Sequence, residues 1–576
     1  MPLDRRRFLE SCSALGLTGL FPGALYAHVN DASADASPAA QETPITVEHV
    51  AAAEEIAGLS FNAEERELIA EGLNEKLQQV EALREVDLPN VVVPASTFDP
   101  RIGGASIPTD DTPMRWTPQP IERPSNDEDL AFMTVAELAY LLSTQQVTSM
   151  ELTELYLNRL RTYDPVLKAV ITYTEDRARR QAEQADAEIA AGNWRGPLHG
   201  IPWGAKDLLA VDGYKTTWGA APYQDQILDE TAAVVQMLDA AGAVLIAKLT
   251  LGALAWGDVW YGGTTKNPWN VEQGSSGSSA GPGSAVAAGC VGFAIGSETL
   301  GSIVSPSTRN GVTGHRPTYG AVPRTGAMAL SWTMDKLGPM TRSAEDCALV
   351  FDAIRGADAG DPTSVDMPFP YQQGFDVTDL RVGYLPDAFD GDYDNAEADQ
   401  AVLDVLRNDL GLTLQPMALP TDMPIAAILN TLDVEAAAAF DELTRTRGID
   451  AMVRQGENTW PNVFRTARFI PAVEHLQMSR ARTVLMQRMH DVMQDVDAFV
   501  SPSYRGGTLR ITNLTGHPAV CVPNAFHPLD DAPDSPRRQP ASITFAGPLY
   551  QDHHVIVLAE AYQGVTDFHR RRPPIQ

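Results

Sequence analysis

Residues Gly274 to Ser302 read GSSGSSAGPGSAVAAGCVGFAIGSETLGS. The stretch opens on Gly and Ser, passes through small apolar residues and closes on a second Gly-Ser pair. Residues this small let backbone approach backbone and let several amide N–H groups aim at one point. They also present hydroxyls without bulk, which a serine nucleophile beside an oxyanion hole requires. A flexible Gly/Ser linker opens the same way. It does not continue into AVAAGCVGFAI, which reads as buried helix and strand.

Around this stretch lies a chain of 576 residues, long enough for several domains or for one large α/β enzyme. Asp and Glu number 75 against 43 Lys and Arg, a formal net charge of −32. So acidic a surface repels nucleic acid and anionic lipid, and neither is expected as a partner. It would also suit a high-salt habitat. Arg5-Arg6-Arg7-Phe8-Leu9 precedes an apolar run, Leu15 to Leu25, too short to span a membrane as a mature helix. Paired arginines before Phe-Leu resemble a twin-arginine export signal, with a cleavage site after Ala27. The expectation is an exported protein, periplasmic or extracellular, with no membrane insertion once residues 1–27 are removed. A basic amphipathic helix that stays on the protein is the alternative. Of the four cysteines, Cys12 lies in the signal and Cys290, Cys347 and Cys521 in the remainder. With no C-x-x-C pair they form neither a disulfide framework nor a thiolate zinc site. H-E-x-x-H, a phosphate loop and a dinucleotide fingerprint are all missing, so no metal and no cofactor is expected.

Residues 28–127 read as a flexible spacer and a helical N-terminal extension. Asn62 can cap a helix from Ala63, with Ile69, Leu73, Leu77 and Val80 on one face. That stripe is expected to pack on the main domain, and the helix to stop by Leu88-Pro89. The main domain is placed at 128–576, with a core over 133–350, a helical lobe over about 396–495 and closing strands and a helix over 496–565. Capping boxes are expected at Thr134 with Glu137 and at Thr148 with Glu151. Gly311 to Arg324 reads as turn-rich. Alternating helices and apolar strand runs predict an α/β fold: a large, mixed, mostly parallel sheet covered by helices on both faces.

Further motifs complete the pattern. Pro197-Leu-His-Gly-Ile-Pro-Trp-Gly-Ala-Lys206-Asp207 sets one lysine inside an apolar segment. Gly277-Ser-Ser-Ala-Gly-Pro-Gly-Ser284 and Gly296-Ser-Glu-Thr-Leu-Gly-Ser302-Ile are the two ends of the opening stretch. Gly314-His-Arg-Pro-Thr-Tyr-Gly320 and Asn513-Leu-Thr-Gly-His-Pro-Ala519 follow. In this order and spacing the chain resembles the amidase signature family of serine hydrolases, over about 133–350 and more weakly to about 565. The resemblance implies the amidase-signature fold and a Ser-Ser-Lys triad. Ser302 aligns with the acylated nucleophile, Ser278 with a bridging serine that follows a cis peptide bond, and Lys206 with the base. The backbone N–H groups of Thr299, Leu300, Gly301 and Ser302 would form the oxyanion hole. The chemistry is coherent by itself. A serine hydroxyl needs a base to take its proton. A lysine can be that base only when neutral, and burial disfavours its charged form. The chain departs from the family at Glu298, where Asp is common, at Leu300 for Gly, and at Val304 for an Arg that can hold a substrate carboxylate. Ser305 and Asn310 also differ. The loss of that Arg argues against a small dicarboxylate half-amide as substrate.

Rival readings attach to the same residues. Gly277 to Gly281 fits G-x-S-x-G, the α/β-hydrolase elbow, with Ser279 as nucleophile. That motif needs a buried strand just before it, and Asn267 to Gly274 reads as loop. Ser279 is therefore expected to be a structural hydroxyl, and Ser275 and Ser276 to solvate the loop. Asp207 would hold a charge near the site or stabilise a turn. His517 would line the pocket or have no role, and His553-His554 would face opposite ways on a strand. The expected function is a cofactor-independent serine amidohydrolase cleaving the C–N bond of a small-molecule or peptide amide through an acyl-enzyme on Ser302; a homodimer is admitted. The alternatives are an esterase or peptide amidase on the same fold, or the amidase-type subunit of a glutamine-dependent aminoacyl-tRNA amidotransferase. Export and acidity argue against the last.

Overall fold

Helix starts follow their caps. Thr134 and Glu137 exchange reciprocal bonds ahead of helix Val135–Ser143, and Thr148 and Glu151 do the same for Ser149–Leu167. The Ser343 hydroxyl accepts from the Asp346 N–H at the start of Ala344–Ile354. The computed structural model describes residues 44–109 and 112–575, so the expected signal at 1–27 lies outside the described residues.

The chain divides into two units between Val86 and Asp87. Within the smaller, helices Val47–Ala57 and Ala63–Arg84 are linked by Arg66 on the buried Glu54, Nε to Oε1 2.8 Å. Asn62 and Glu65 form a full capping box. The helix ends at Arg84, and Leu77 and Val80 of its apolar stripe are exposed.

The larger unit is built on an 11-stranded sheet. Its strands are β1 (Val170–Tyr173), β2 (Pro202–Lys206), β3 (Val244–Leu249), β4 (Phe293–Glu298), β5 (Thr313–Arg316), β6 (Lys336–Thr341), β7 (Val382–Tyr384), β8 (Leu414–Pro416), β9 (Ala498–Pro502), β10 (Ala519–Pro528) and β11 (Arg538–Ala546). Their order across the sheet is β1-β3-β2-β4-β6-β5-β10-β11-β9-β7-β8. The sheet is mixed. Parallel pairs join β2 to β3 and β4, and β7 to β8 and β9. The other neighbours are antiparallel and outnumber them, so the expected parallel character is confined to these two groups. The strands β2, β3, β4 and β6 are buried along their whole length, and the first three accordingly read as mainly apolar runs rather than alternating ones.

Two central strands differ from expectation. The turn-like Gly311–Arg324 contains β5, and β6 carries Gly338-Pro339. In β5 the buried side chains include His315, whose Nε2 lies 3.1 Å from Asp552 Oδ1, and Arg316, 2.9 Å from Glu298. Such a strand gives no apolar pattern to read. Pro339 is opposite Ile295 of β4, while pairing with β5 begins only at Met340, so its missing N–H breaks no ladder bond there. His553 and His554 lie on helix Asp552–Gly564 with ring centroids 4.1 Å apart, not on a strand. No helix among the described residues is long and apolar enough to cross a membrane.

Candidate active site

Because β2 and β4 are parallel neighbours, their last residues, Lys206 and Glu298, emerge at one edge of the sheet. This carboxyl edge is where α/β sheets place ligands. Ser278 and Ser279 stand just before helix Ala280–Ala287, and Ser302 lies between β4 and helix Val304–Asn310. The Ser279 N–H donates to the Ser302 carbonyl oxygen at 3.1 Å, joining the two ends of the opening stretch. The Gly277-Ser278 peptide bond is cis. A Cβ on Gly277 would lie 1.9 Å from the Gly257 carbonyl oxygen, so the backbone approach admits only glycine.

Lys206 is fully buried. Its Nζ donates to Ser278 Oγ at 2.8 Å, Ser297 Oγ at 2.8 Å and Ser279 Oγ at 3.0 Å, and forms no ion pair among the described residues. Burial drives its pKa well below the ordinary 10.5; the more distant Asp335 and Glu298 pull the other way and do not reverse it. A neutral amine can accept a proton, and Ser278 can turn its hydroxyl to supply one.

The turn after β4 is fixed from behind by Glu298. One carboxylate oxygen accepts from the Ile303 and Val304 N–H groups at 2.8 and 3.0 Å. The other accepts from Arg316 at 2.9 Å and Asn513 Nδ2 at 2.7 Å. Burial alone would raise this carboxyl, but Arg316, the Val304 N–H and Asn513 hold it at about 2. With those amides committed to Glu298, the N–H groups of Thr299, Leu300, Gly301 and Ser302 donate to no acceptor among the described residues. Gly301, at φ +88, makes the left-handed turn that leaves them free. The Thr299 hydroxyl donates to Asp335 at 2.6 Å. Among the described residues no hydrogen bond joins the Ser302 hydroxyl to Ser278 or Lys206; the two ends meet through the backbone contact at Ser279.

The structure thus brings Lys206, Ser278, Ser302 and the turn 299–302 to one place. Other expectations fare differently. The Ser279 hydroxyl is buried, held by Lys206, the Ser297 N–H at 3.1 Å and the Ser297 carbonyl at 3.1 Å. Ser275 and Ser276 do not simply solvate a loop. Ser275 is buried, its carbonyl accepts from Asn310 Nδ2 at 2.9 Å, and Ser276 Oγ lies 2.7 Å from Ser305 Oγ. Two departures from the family pattern, Ser305 and Asn310, therefore hold this loop. Asp207 turns away to Lys248 at 2.8 Å and to the Thr217 N–H and hydroxyl at 2.8 and 2.6 Å. His517 is buried behind Arg316, which donates to its carbonyl at 2.9 Å, and burial lowers its pKa to about 3. Sequence reasoning missed Ser297 as a partner of Lys206 and the Glu298–Arg316–Asn513 brace; only the position of each within a recognised motif hinted at them. Cys290, Cys347 and Cys521 are free and buried. Among the described residues no group of three or more His, Cys, Asp or Glu could hold a metal ion.

Residues 151–556 match the family model described as Amidase. The chain belongs to the amidase signature family. It is accordingly an enzyme of the amidase class, a hydrolase acting on carbon–nitrogen bonds. A glutamyl-tRNA(Gln) amidotransferase subunit of Roseiflexus sp. (strain RS-1) is 31% identical over 489 residues, 77% of this chain and 98% of that protein. The protein of the same name from Pseudomonas syringae pv. syringae (strain B728a) is 31% identical over 490 residues, 77% and 99% of the two chains. Among solved structures, native peptide amidase from Stenotrophomonas maltophilia superposes with a TM-score of 0.66 at 27% identity, covering 77% of this amidase and 98% of that chain.

Proposed function

We propose that this amidase cleaves a carboxylic amide through an acyl-enzyme on Ser302. The observation that carries the reading is a buried lysine surrounded by hydroxyls beside a turn whose amides are free. Ser302 Oγ attacks the carbonyl carbon while its proton passes through Ser278 to neutral Lys206. The N–H groups of the 299–302 turn take the developing oxyanion; losing one such donor typically costs about 3–4 kcal/mol of barrier. Collapse breaks the C–N bond, and the departing amine takes the proton back from Lys206 by way of Ser278. Water then attacks the ester by the same route in reverse, releasing the acid and the Ser302 hydroxyl. Ser302→Ala should reduce turnover on the order of 10⁴-fold or more, and a fluorophosphonate should label Ser302. Full activity in Ser302→Ala, or labelling at Ser279 instead, would overturn the assignment.

A second reading keeps the same chemistry but places the chain as the amidase-type subunit of a glutamine-dependent aminoacyl-tRNA amidotransferase. It is favoured by the curated relatives above, which carry that name and align over nearly their whole length. The net charge of −32 and the likeness to a peptide amidase support a free-standing amidohydrolase, or an esterase on the same fold. Purified chain alone, given a panel of simple amides and esters, separates the two. Release of ammonia or amine without partner proteins supports the free-standing enzyme; activity only with added subunits and tRNA supports the other. Export rests on the Arg5-Arg6-Arg7-Phe8-Leu9 segment, and cell fractionation tests it.

A further inference from the structure

Beside the turn lies a cavity of about 280 Å³ that reaches Ser297 and Thr299. Its walls are mostly apolar, with Leu208, Ala255, Met328, Leu330, Trp332 and Leu337. Its charged groups are largely committed elsewhere. Arg324 pairs with Asp361 at 3.1 Å, and Asp335 accepts from the Thr299 hydroxyl and from the Leu330 and Ser331 N–H groups at 2.8 and 2.9 Å. Glu230, the remaining carboxylate on the wall, makes no ion pair among the described residues and disfavours an anionic ligand. One wall comes from outside the family-matched residues 151–556: Asn90, Val91 and Val93. Asn90 acts there like a strand residue. Its Nδ2 donates to the Ala329 carbonyl at 2.8 Å and its Oδ1 accepts from the Ala329 N–H at 2.7 Å. Val91 and Val93 remain 55% and 37% exposed, apolar side chains at the rim of an apolar space.

We propose that this cavity is the acyl-side subsite, that it takes an uncharged, mainly apolar acyl group, and that Asn90 to Val93 form its outer wall. The proposal rests on the reading of Ser302 as the nucleophile of an amide hydrolase. The acyl half of the substrate stays bonded to Ser302 after the amine departs, so a walled space suits the half that stays. At roughly 30 Å³ for each water- or methylene-sized group, the volume holds about nine such groups. A carboxylate would meet Glu230 and find no uncommitted cation among the described wall residues, which agrees with Val304 standing where an arginine could have served. Asn90 is a positioning residue: it touches the wall, not the reacting atoms.

Straight-chain amides from acetamide to octanamide test this, with wild type, Asn90→Ala and Val91→Ser/Val93→Ser. N-alkyl acetamides extend the nitrogen side instead. A methylene in an apolar pocket is worth about tenfold in kcat/KM, so wild type should prefer hexanamide to acetamide by at least that factor. Both strap variants should cut this preference about tenfold and leave the ranking of the N-alkyl series unchanged. Calorimetry of octanamide binding to Ser302→Ala provides a reading free of turnover. Adding Val91→Ser/Val93→Ser to that background should weaken binding about tenfold. Unchanged acyl preference together with unchanged binding overturns the proposal, as does a strap effect confined to the N-alkyl series. Strap-dependent octanamide binding by a chain that hydrolyses no amide would leave the apolar subsite standing and overturn the hydrolase reading.

Discussion

Lys206 and Lys248 sit on adjacent parallel strands, with Ala205 of β2 opposite Lys248 of β3. Both are fully buried, and burial lowers the pKa of both. Their partners differ. Lys248 Nζ lies 2.8 Å from the Asp207 carboxylate and also donates to the Lys215 carbonyl at 2.8 Å and Thr216 Oγ1 at 2.6 Å. Lys206 meets three serine hydroxyls and, among the described residues, no carboxylate within reach. An opposite charge within about 4–6 Å favours the charged form; hydroxyls serve either form. Successive side chains on a strand alternate faces, so the carboxylate next to Lys206 in sequence is turned to Lys248 instead. Burial alone thus makes neither a base nor a structural cation. The chemistry facing the amine decides which.

The sharpest way to break that contrast is to remove each amine in turn. Lys206→Met should lower turnover on the order of 10⁴-fold, since triad members act as a unit, with circular dichroism unchanged. In wild type kcat/KM should fall on the acid side as Lys206 takes up a proton, with the limb well below 10.5. The stability signature has a definite sign. Between the lowered pKa of Lys206 and 10.5 the unfolded chain holds a proton that the folded chain does not. Wild-type stability should therefore rise with pH relative to Lys206→Met, by about 1.4 kcal/mol per pH unit in that window. Denaturant titrations at several pH values check this, and parallel curves would show that Lys206 is charged in the folded enzyme.

Lys248→Met should act mainly on stability. It strands the Asp207 carboxylate in the core, and breaking a buried pair from one side costs about 3–5 kcal/mol. Asp207 keeps its backbone bond to the Leu249 carbonyl at 2.9 Å, so β2 still presents Lys206. Folded Lys248→Met should retain far more activity than Lys206→Met. Equal loss of turnover in a fully folded variant would mean that Lys248 belongs to the proton path.

The same physics explains what the sequence disclosed. The small residues of Gly274–Ser302 pointed only to the stretch, and the helix and strand within it followed from its apolar run; Lys206, Ser278 and Ser302 were singled out by the resemblance to the amidase signature family. The strands β5 and β6 were not legible, because His315, Arg316, Gly338 and Pro339 are atypical of buried strands and become tolerable only through long-range partners such as Asp552 and Glu298. Glu298 was visible only as a departure from a familiar letter. Its work, gripping two amides so that four others stay free, depends on a fold that brings Arg316 and Asn513 together, and no local pattern encodes it. Of the two roles open to Asp207, the charge goes to Lys248 rather than to the site, while the local, turn-holding role fits its bonds from the Thr217 N–H and hydroxyl; adjacency in sequence is not adjacency in space on a pleated strand.

The smallest expected effect falls on Ser279, and it separates a hydroxyl that holds the base from one that reacts. Ser279 Oγ binds Lys206, the Ser297 N–H and the Ser297 carbonyl. Ser279→Ala leaves the Ser297 N–H unpaired in a buried site, a cost of about 1–3 kcal/mol. Lys206 keeps Ser278 and Ser297 as partners, so its amine stays in place and is less firmly aimed. Turnover should fall about tenfold, far short of the loss in Ser302→Ala, and the midpoint of unfolding should drop. Activity abolished in Ser279→Ala with Ser302→Ala still competent would exchange the roles of the two serines and make the cis-linked Ser278 a bystander.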